Sequence, residues 1–419
     1  MKQVVIVGAG AAGLLAGIAV QNAGAQAILL EKMPSPGRKL MITGKGRCNI
    51  TNACSMADMI AMLPGNGKFL YGAFHQFTND DIVNLLESHG LKTKVERGGR
   101  VFPQSDRALD VVETLERILR DSGARLLTRK RVTGLYIKNH QVYGVEINGQ
   151  EQLHADAVIL TTGGASYPGT GSTGDGYELA RQAGHTIVEP APALVPLESD
   201  DDYIRELQGL SLKNIQGTLL EGDKVLGQEF GEMLFTHFGV SGPIILTLSR
   251  AASKRWQKEP KALLDLAIDL KPALSDQQLD ARIQRDFQKY SRKQLKAGLH
   301  DLLPQKLIPV VIDRACLTPE QEVNQITRKE RQRLVDTLKH FMVPLSGTRP
   351  LAEAIVTAGG VSLKEINPST FASKLVPNLY FAGEVMDVDG YTGGYNLQAA
   401  FSSGYAAGTH AAQGKEESL

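Results

Sequence analysis

Cysteine is scarce in this chain: 419 residues include three, Cys48, Cys54 and Cys316, and no Cys-x-x-Cys pair. An odd set of this kind argues against a disulfide scaffold and suits a reducing compartment. Long apolar runs are also missing. No stretch approaches the ~18 consecutive apolar residues that span a bilayer. The N-terminus reads as a strand entering a glycine turn, not as a basic region followed by a cleavable apolar segment, so the expected location is cytoplasmic. Neither sign of charge is in excess: 46 Lys+Arg against 45 Asp+Glu give a net +1, which predicts no overall attraction to nucleic acid or to an anionic membrane. The nine histidines form no His-x-x-x-His pair or His/Cys cluster, so no metal site is expected. A Gly-x-Ser-x-Gly elbow and a Gly-Lys-Ser/Thr phosphate loop are absent.

What is present begins at Val4-Val-Ile-Val-Gly-Ala-Gly-Ala-Ala-Gly13, a short apolar strand running straight into Gly-x-Gly-x-x-Gly and then a small apolar helix over residues 11–23. Gly8 suits the tight turn, Gly10 a close approach of backbone to a pyrophosphate, and Gly13 close packing of helix on strand. The anion would rest on the helix N-terminus, where free N–H groups and the helix dipole favour negative charge. A second apolar run, Ala27-Ile-Leu-Leu30, ends in Glu31, at the distance expected of a ribose-binding acid. A carboxylate there would repel a 2′-phosphate, so FAD or NAD fits better than NADP.

The C-terminal end chooses between those two. Leu379-Tyr-Phe-Ala382 reads as a strand closed by Gly383-Glu384, and Gly393-Gly394 precedes an alanine- and glycine-rich helical run over residues 395–410. An acid after the last strand suits the ribityl hydroxyls of a flavin. The following helix would aim its N-terminus at the pyrimidine end, where reduction adds negative charge. An NAD site needs no such returning segment. A second dinucleotide fingerprint is absent, so NAD(P)H, where it is the electron donor, would visit the substrate cleft transiently.

These residues carry a resemblance. The chain resembles, nearly end to end, the YhiN/BaiN-like family of FAD-binding flavoproteins, also called the aminoacetone oxidase family. The matching elements are the fingerprint from Gly8 to Gly13; Gly37-Arg-Lys-Leu-Met-Ile-Thr-Gly-Lys-Gly-Arg-Cys-Asn-Ile-Thr-Asn52; Gly99-Arg-Val-Phe-Pro103; Thr161-Thr-Gly-Gly164; Leu234-Phe-Thr-His-Phe-Gly-Val-Ser-Gly-Pro243; Thr357-Ala-Gly-Gly-Val361; and the segment from Gly383 to Gln398. Lys45 departs from the pattern, standing where many relatives carry a third consecutive glycine. The resemblance implies a Rossmann-like α/β FAD domain in two parts. It implies cofactor contacts from Gly8, Gly10, Ala11, Ala12, Gly13, Glu31, Lys32, Arg38, Lys39, Gly46, Arg47, Cys48, Asn49, Val132, Thr162, Gly163, Gly164, Gly383, Glu384, Asp389, Gly394, Tyr395, Asn396 and Leu397.

Along the chain the nucleotide-binding pattern runs to residue 190. Residues 106–121 read as a helix and Gly123-Ala-Arg-Leu-Leu127 as a third parallel strand. Residues 132–137 and 141–147 read as a hairpin about Asn139-His140, and Ala157-Val-Ile-Leu160 returns to the sheet. Pro190, Pro192 and Pro196 mark the way out. The expected organisation is an FAD domain of residues 1–190 and 343–419, a mainly β, barrel-like substrate subdomain over 191–270, and a helical subdomain over 271–342. Helices are expected at 276–290, 291–303 and 330–341, and Thr357 onward is expected to rejoin the sheet. Residues 414–419 are expected to be disordered. The basic run Arg328, Lys329, Arg331, Arg333 reads either as a solvated helix face or as a patch for RNA or an acidic substrate.

Catalytic candidates are His237, Arg100 and Cys48. His237 could protonate a substrate carbon or oxygen after hydride arrives, or be a hydrogen-bonded structural histidine. Ser241, ahead of Gly242-Pro243, reads as a helix start able to receive a carboxylate or carbonyl oxygen. Arg100 is a candidate for an anionic substrate. Cys48 beside Arg47 is either a thiol of lowered pKa or a small residue packed against the cofactor. Residues 167–176 are similar to the Thr-Gly-Asp-Gly segment of the succinate dehydrogenase and fumarate reductase group. The early loop, however, lacks the histidine that attaches flavin covalently there, so noncovalent FAD is expected. The expected function is an FAD-dependent oxidoreductase exchanging hydride between flavin N5 and a small substrate. The resemblance offers NAD(P)H-linked reduction of an activated carbon–carbon double bond, with oxidation of an aminoacetone-type amine as the alternative. A tRNA-associated flavoprotein and a flavin-bearing scaffold without turnover remain as further alternatives.

Overall fold

The central strand, Gln3–Val7, is apolar from Val4 onward and buried on both faces, which is the pattern of a strand inside a parallel sheet. In the computed structural model, which describes residues 1–413, it is the middle of five parallel strands. Their order is Leu379–Phe381, Ala157–Leu160, Gln3–Val7, Gln26–Glu31, Arg125–Thr128. The chain adds strands on one side of Gln3–Val7 and then switches to the other, so the carboxyl ends of Gln3–Val7 and Ala157–Leu160 flank a topological switch point, where open α/β sheets bind ligands. The expected disorder of residues 414–419 lies outside the described residues.

The fingerprint helix, Ala11–Asn22, is buried from Ala12 to Val20 and so has no polar face. The terminal helix, Tyr395–Gln413, packs along it. A Cβ at Gly404 would overlap the Ala12 carbonyl oxygen, and one at Gly408 the Ala16 carbonyl oxygen. The repeat of four on both helices keeps one stripe of each in backbone contact over a full turn.

Two three-stranded antiparallel sheets also belong to this part. The predicted hairpin forms from Val132–Lys138 and Gln141–Ile147. Asn139 and His140 sit at φ 50° and 60°, the left-handed pair that matches strand twist in a two-residue turn, and Glu151–His154 adds a third strand. A second sheet, Thr51–Asn52, Arg100–Pro103 and Thr93–Glu96, brings the end of the 37–52 loop beside the 97–99 turn.

The chain divides into two compact units, Met1–Pro192 with residues 351 onward, and Ala193–Pro350. The second unit carries a seven-stranded antiparallel sheet and helices that include Pro243–Lys258, Asp276–Lys289, Ile308–Arg314 and Arg328–Lys339. Its β and helical parts share one hydrophobic core, in which Leu266 and Ile268 join Ile283 and Leu334, rather than forming two subdomains. The return to the first unit falls at 351 rather than 343 because Phe341–Leu345 pairs antiparallel with Leu264–Asp269. A helix over 291–303 does not form beyond Leu295–Gly298. Gln294 pairs instead with Glu322, and the Leu295 N–H donates to the Gln321 carbonyl. Val356–Val361 pairs with Ile187–Ala193 rather than joining the parallel sheet, which is rejoined only at Leu379–Phe381.

The glycine contact between the two helices sets a prediction. Gly404→Ala forces a methyl into the Ala12 backbone and is expected to destabilise the protein by about 1–3 kcal/mol, as overpacking does, read as a lowered urea midpoint.

Candidate functional site

The glycine turn closes the site's floor. Gly8 has φ 100°, and a Cβ there would lie 2.8 Å from the Thr161 carbonyl oxygen. At Gly13 a Cβ would overlap the Gly8 carbonyl oxygen, while at Gly10 it would meet nothing within 4 Å. Gly8 and Gly13 are thus required by the protein's own packing. Gly10 is not, and its backbone faces open space as a close-approaching ligand needs. Thr161 ties this turn to the neighbouring strand, its hydroxyl donating to the Val7 and Gly8 carbonyls at 2.9 and 2.8 Å.

Glu31 ends the second strand, and its two oxygens accept the Ala9 and Met33 N–H groups at 2.9 and 2.8 Å. Each oxygen keeps a lone pair for a further donor, so the carboxylate is oriented without being used up. Lys32 turns to Asp175 at 2.9 Å. Residues 37–52 form a short helix, Arg38–Ile42, and then a tight turn through Gly44, Lys45 and Gly46 with φ of 56°, 61° and 83°. Lys45 holds the left-handed conformation that the missing third glycine would adopt without strain. The Arg38 Nε and the Asn49 Oδ1 are buried without a hydrogen-bond partner. Buried polar atoms are nearly always satisfied, so both positions fit a polar ligand atom.

Three far-separated segments converge on Glu384. Its Oε2 accepts from the Lys39 Nζ at 2.7 Å, its Oε1 accepts the Thr357 N–H at 2.8 Å, and the Lys39 Nζ also donates to the Ser166 Oγ at 2.7 Å. Gly164 is fitted beneath, since a Cβ there would strike the Thr357 hydroxyl. The buried Tyr177 hydroxyl has no partner. Burial, with the charges of Glu384 and Asp387 adding, holds its phenol well above the usual range, so it stays a neutral donor.

The start of the terminal helix is fixed by amides. The Asn396 side chain accepts the Gly390 N–H at 2.8 Å and donates to the Gly390 and Tyr391 carbonyls. Asp389 is buried and pairs its backbone with Gly65. The Asn52 Nδ2 bridges the Gly98 and Gly393 carbonyls at 2.9 and 3.1 Å. It thereby pins the 97–99 turn, next to Arg100, beside the glycine pair. Arg100 itself is exposed, with its Nε donating to the Arg97 carbonyl.

Several expected residues take other positions. Arg47 is committed to Glu96 and to Asp106 and stacks 4.1 Å over Phe102, which leaves it poorly placed as a free phosphate cation. Cys48 is fully buried, and burial pushes its thiol up to about 12, the opposite of an activated nucleophile. Val132 is buried in the core. Ser241 ends a strand paired to Leu234 and caps nothing; the helix starts at Pro243 after Gly242. His237 lies in the second unit. Exposed and 4.9 Å edge-on to Phe238, it lines a cavity of about 350 Å³ with Glu198, Asp200, Asp201, Asp202 and Arg205. Arg331 of the basic run pairs with Asp280. Sequence reasoning gave no role to Ser166, Thr357, Asn52 or Tyr177. All four stand within or next to recognised motifs, but only the folded contacts single them out.

The HI0933-like protein Rossmann domain family matches residues 2–410. A 3-dehydro-bile acid delta(4,6)-reductase of Clostridium scindens is 32% identical over 415 residues, covering 99% of this chain and 100% of the relative. A ribosomal RNA dihydrouridine synthase of Haemophilus influenzae is 33% identical over 407 residues, covering 96% of each. Among solved structures, a 3-ketosteroid-delta4-(5alpha)-dehydrogenase of Rhodococcus jostii RHA1 shares the fold with TM-score 0.52 at 16% identity, over 98% of this chain and 97% of that one.

Two outcomes follow from the site. Gly10→Ala is expected to keep the urea midpoint of the wild type yet weaken FAD binding at least about tenfold, whereas Gly13→Ala loses stability itself; equal FAD affinity of Gly10→Ala and wild type would remove the site from this turn. In a thiol titration of folded protein at neutral pH, Cys316 and Cys54 are expected to react and Cys48 only after unfolding, and early labelling of Cys48 would show that the burial argument fails.

From its matching family and its relatives, the chain belongs to the HI0933-like family of FAD-dependent oxidoreductases with a Rossmann domain.

Proposed function

We propose that the chain binds FAD noncovalently at the carboxyl ends of its parallel strands and reduces a carbon–carbon double bond conjugated to a carbonyl, with NAD(P)H as electron donor. The observation that carries the cofactor half is that the loop after Glu31 bonds both to the glycine turn, Gly37 N–H donating to the Ala9 carbonyl, and to Glu384 through Lys39, while Arg38 Nε between them is left buried and unpartnered. In this reading Glu31 takes the ribose diol, the Arg38 guanidinium and the fingerprint helix take the pyrophosphate, and Glu384 lies at the ribityl chain. The N-terminus of Tyr395–Gln413 stabilises negative charge at the pyrimidine end. Bound FAD supplies the hydride through N5.

The substrate half rests on what two relatives' names share. One is a reductase of bile acid double bonds, the other makes dihydrouridine, and uridine differs from that product by a carbon–carbon double bond conjugated to a carbonyl. Both reactions need hydride at one carbon and a proton at its neighbour. His237 is the proposed proton donor, since imidazole exchanges protons near neutral pH, and Arg100 the proposed contact for an anionic substituent. The second relative's name also favours a uracil base in RNA as the alkene. Against a large RNA footprint stand the net charge of +1 and the pairing of Arg331 with Asp280.

The test is anaerobic. NADH or NADPH is expected to bleach the FAD-loaded protein, and a steroid dienone to restore the yellow colour. Recovery with a uridine-containing RNA instead would shift the substrate to nucleic acid, and flavin that stays oxidised with both nucleotides overturns the reductase reading. Acid precipitation is expected to release the colour to the supernatant. His237→Ala is expected to lower turnover by roughly 10²-fold and alter its pH profile while FAD content is unchanged; a wild-type profile would remove His237 from the chemistry.

A further inference from the structure

We infer that Lys39 is the charge partner of Glu384 within the cofactor site, a positioning residue rather than a phosphate-binding cation; this rests on the FAD reading above. An ammonium has three N–H donors, and those of Lys39 point to three oxygens inside the protein. These are Glu384 Oε2 at 2.7 Å, Glu384 Oε1 at 3.1 Å and Ser166 Oγ at 2.7 Å. Nothing is left over for a diphosphate. The neighbouring Arg38, whose Nε is buried without a partner, is the cation with free capacity.

The contacts join segments that the sequence keeps far apart. Lys39 comes from the loop after the second strand, Ser166 from the loop after Ala157–Leu160, and Glu384 from the turn after Leu379–Phe381. Thr357 completes the set, its N–H on Glu384 Oε1 at 2.8 Å and its hydroxyl accepting the Ala165 N–H at 2.9 Å. The Lys39 and Glu384 side chains are 23% and 20% exposed, so their attraction is less screened than at an open surface.

The pairing has an electrostatic purpose. The proposed site holds a diphosphate, and reduction adds negative charge to the flavin. A bare carboxylate at residue 384 would repel both. Lys39 cancels that charge and leaves Glu384 free to act as an oriented acceptor. Removing the lysine alone therefore damages the site more than removing both charges together.

Lys39→Met, Glu384→Gln and the double variant test this. Each is stripped of flavin and titrated with FAD by fluorescence quenching. The flavin midpoint potential of each loaded protein is then measured against reference dyes. Lys39→Met is expected to raise the Kd for FAD at least about tenfold and to lower the potential. Adding Glu384→Gln to it is expected to recover most of the affinity and to return the potential toward the wild-type value, a shift in potential that a purely structural role would not give. Strictly additive losses, or a Lys39→Met protein that binds FAD like the wild type, overturn the assignment while the cofactor reading stands. A wild-type chain that takes up no FAD overturns the cofactor reading itself. If Lys39→Met does not fold, Glu384→Gln alone decides. Its potential is expected to rise because the Lys39 charge then faces the flavin unopposed, and an unchanged potential overturns the pairing.

Discussion

The backbone contact between the fingerprint helix and the terminal helix is the constraint on which the rest of the first unit depends. Gly404 and Gly408 bring their helix against the Ala12 and Ala16 carbonyl oxygens, closer than any side chain would permit. The gain is not simply buried area. Contact at this distance fixes both the translation and the rotation of one helix on the other, because a slip by one residue would place Tyr405 or Thr409 in the seam. The start of the terminal helix is thereby carried to the loop that follows the second strand. Gly394 then lies so close to the Thr51 backbone that a Cβ would collide with it. One site is thus assembled from two ends of a chain interrupted by a whole second unit.

Polar groups finish what the glycines begin. Gln398, fully buried on the terminal helix, accepts the Thr51 hydroxyl at 2.7 Å and donates to the Ser402 Oγ, and Ser402 donates to the Phe77 carbonyl. Each group is satisfied only if all three segments are in register. A buried network of this kind contributes modestly per bond but costs much when half satisfied. It therefore specifies one arrangement rather than adding bulk stability. Asn52 acts in the same way at the mouth, where one amide nitrogen holds both the 97–99 turn and the glycine pair. The floor of the candidate site is set by close packing and its rim by amides, while Arg38 Nε, Asn49 Oδ1 and the Tyr177 hydroxyl remain buried and unpartnered.

What the sequence made legible was mostly local. The fingerprint turn, the strand before it, Glu31 and the Asn139-His140 hairpin depend on neighbours a few residues away, and their residue types carry the geometry directly. Failures came where distant partners decide. Arg47 was expected to contact the cofactor, but its partners, Glu96 and Asp106, lie 49 and 59 residues downstream. Residues 291–303 have helical spacing, but pairing of Gln294 with Glu322 outweighs it. Phe341–Leu345 belongs with the insertion through strand pairing that no local pattern announces. Ser241 resembled a cap by type, and strand pairing took it instead.

The same distinction explains why motifs here define a cofactor site far better than a reaction. The segment around Cys48 is among the most distinctive in the chain, yet its thiol is sealed, hydrogen-bonded near Thr43 and pushed up to about 12. Its surroundings therefore argue for packing, and the redox burden falls on the flavin. The residues proposed above for substrate contact, Arg100 at the start of its strand and His237 beside an acidic cavity, are both exposed. Nothing in the core restricts what replaces them. A fold of this kind can hold its cofactor geometry constant while such residues change, which is how relatives of nearly equal identity to this chain can bear names as different as a bile acid reductase and a ribosomal RNA dihydrouridine synthase. Differences in substrate are then expected to trace to exposed positions, and hardly at all to the glycine-lined floor.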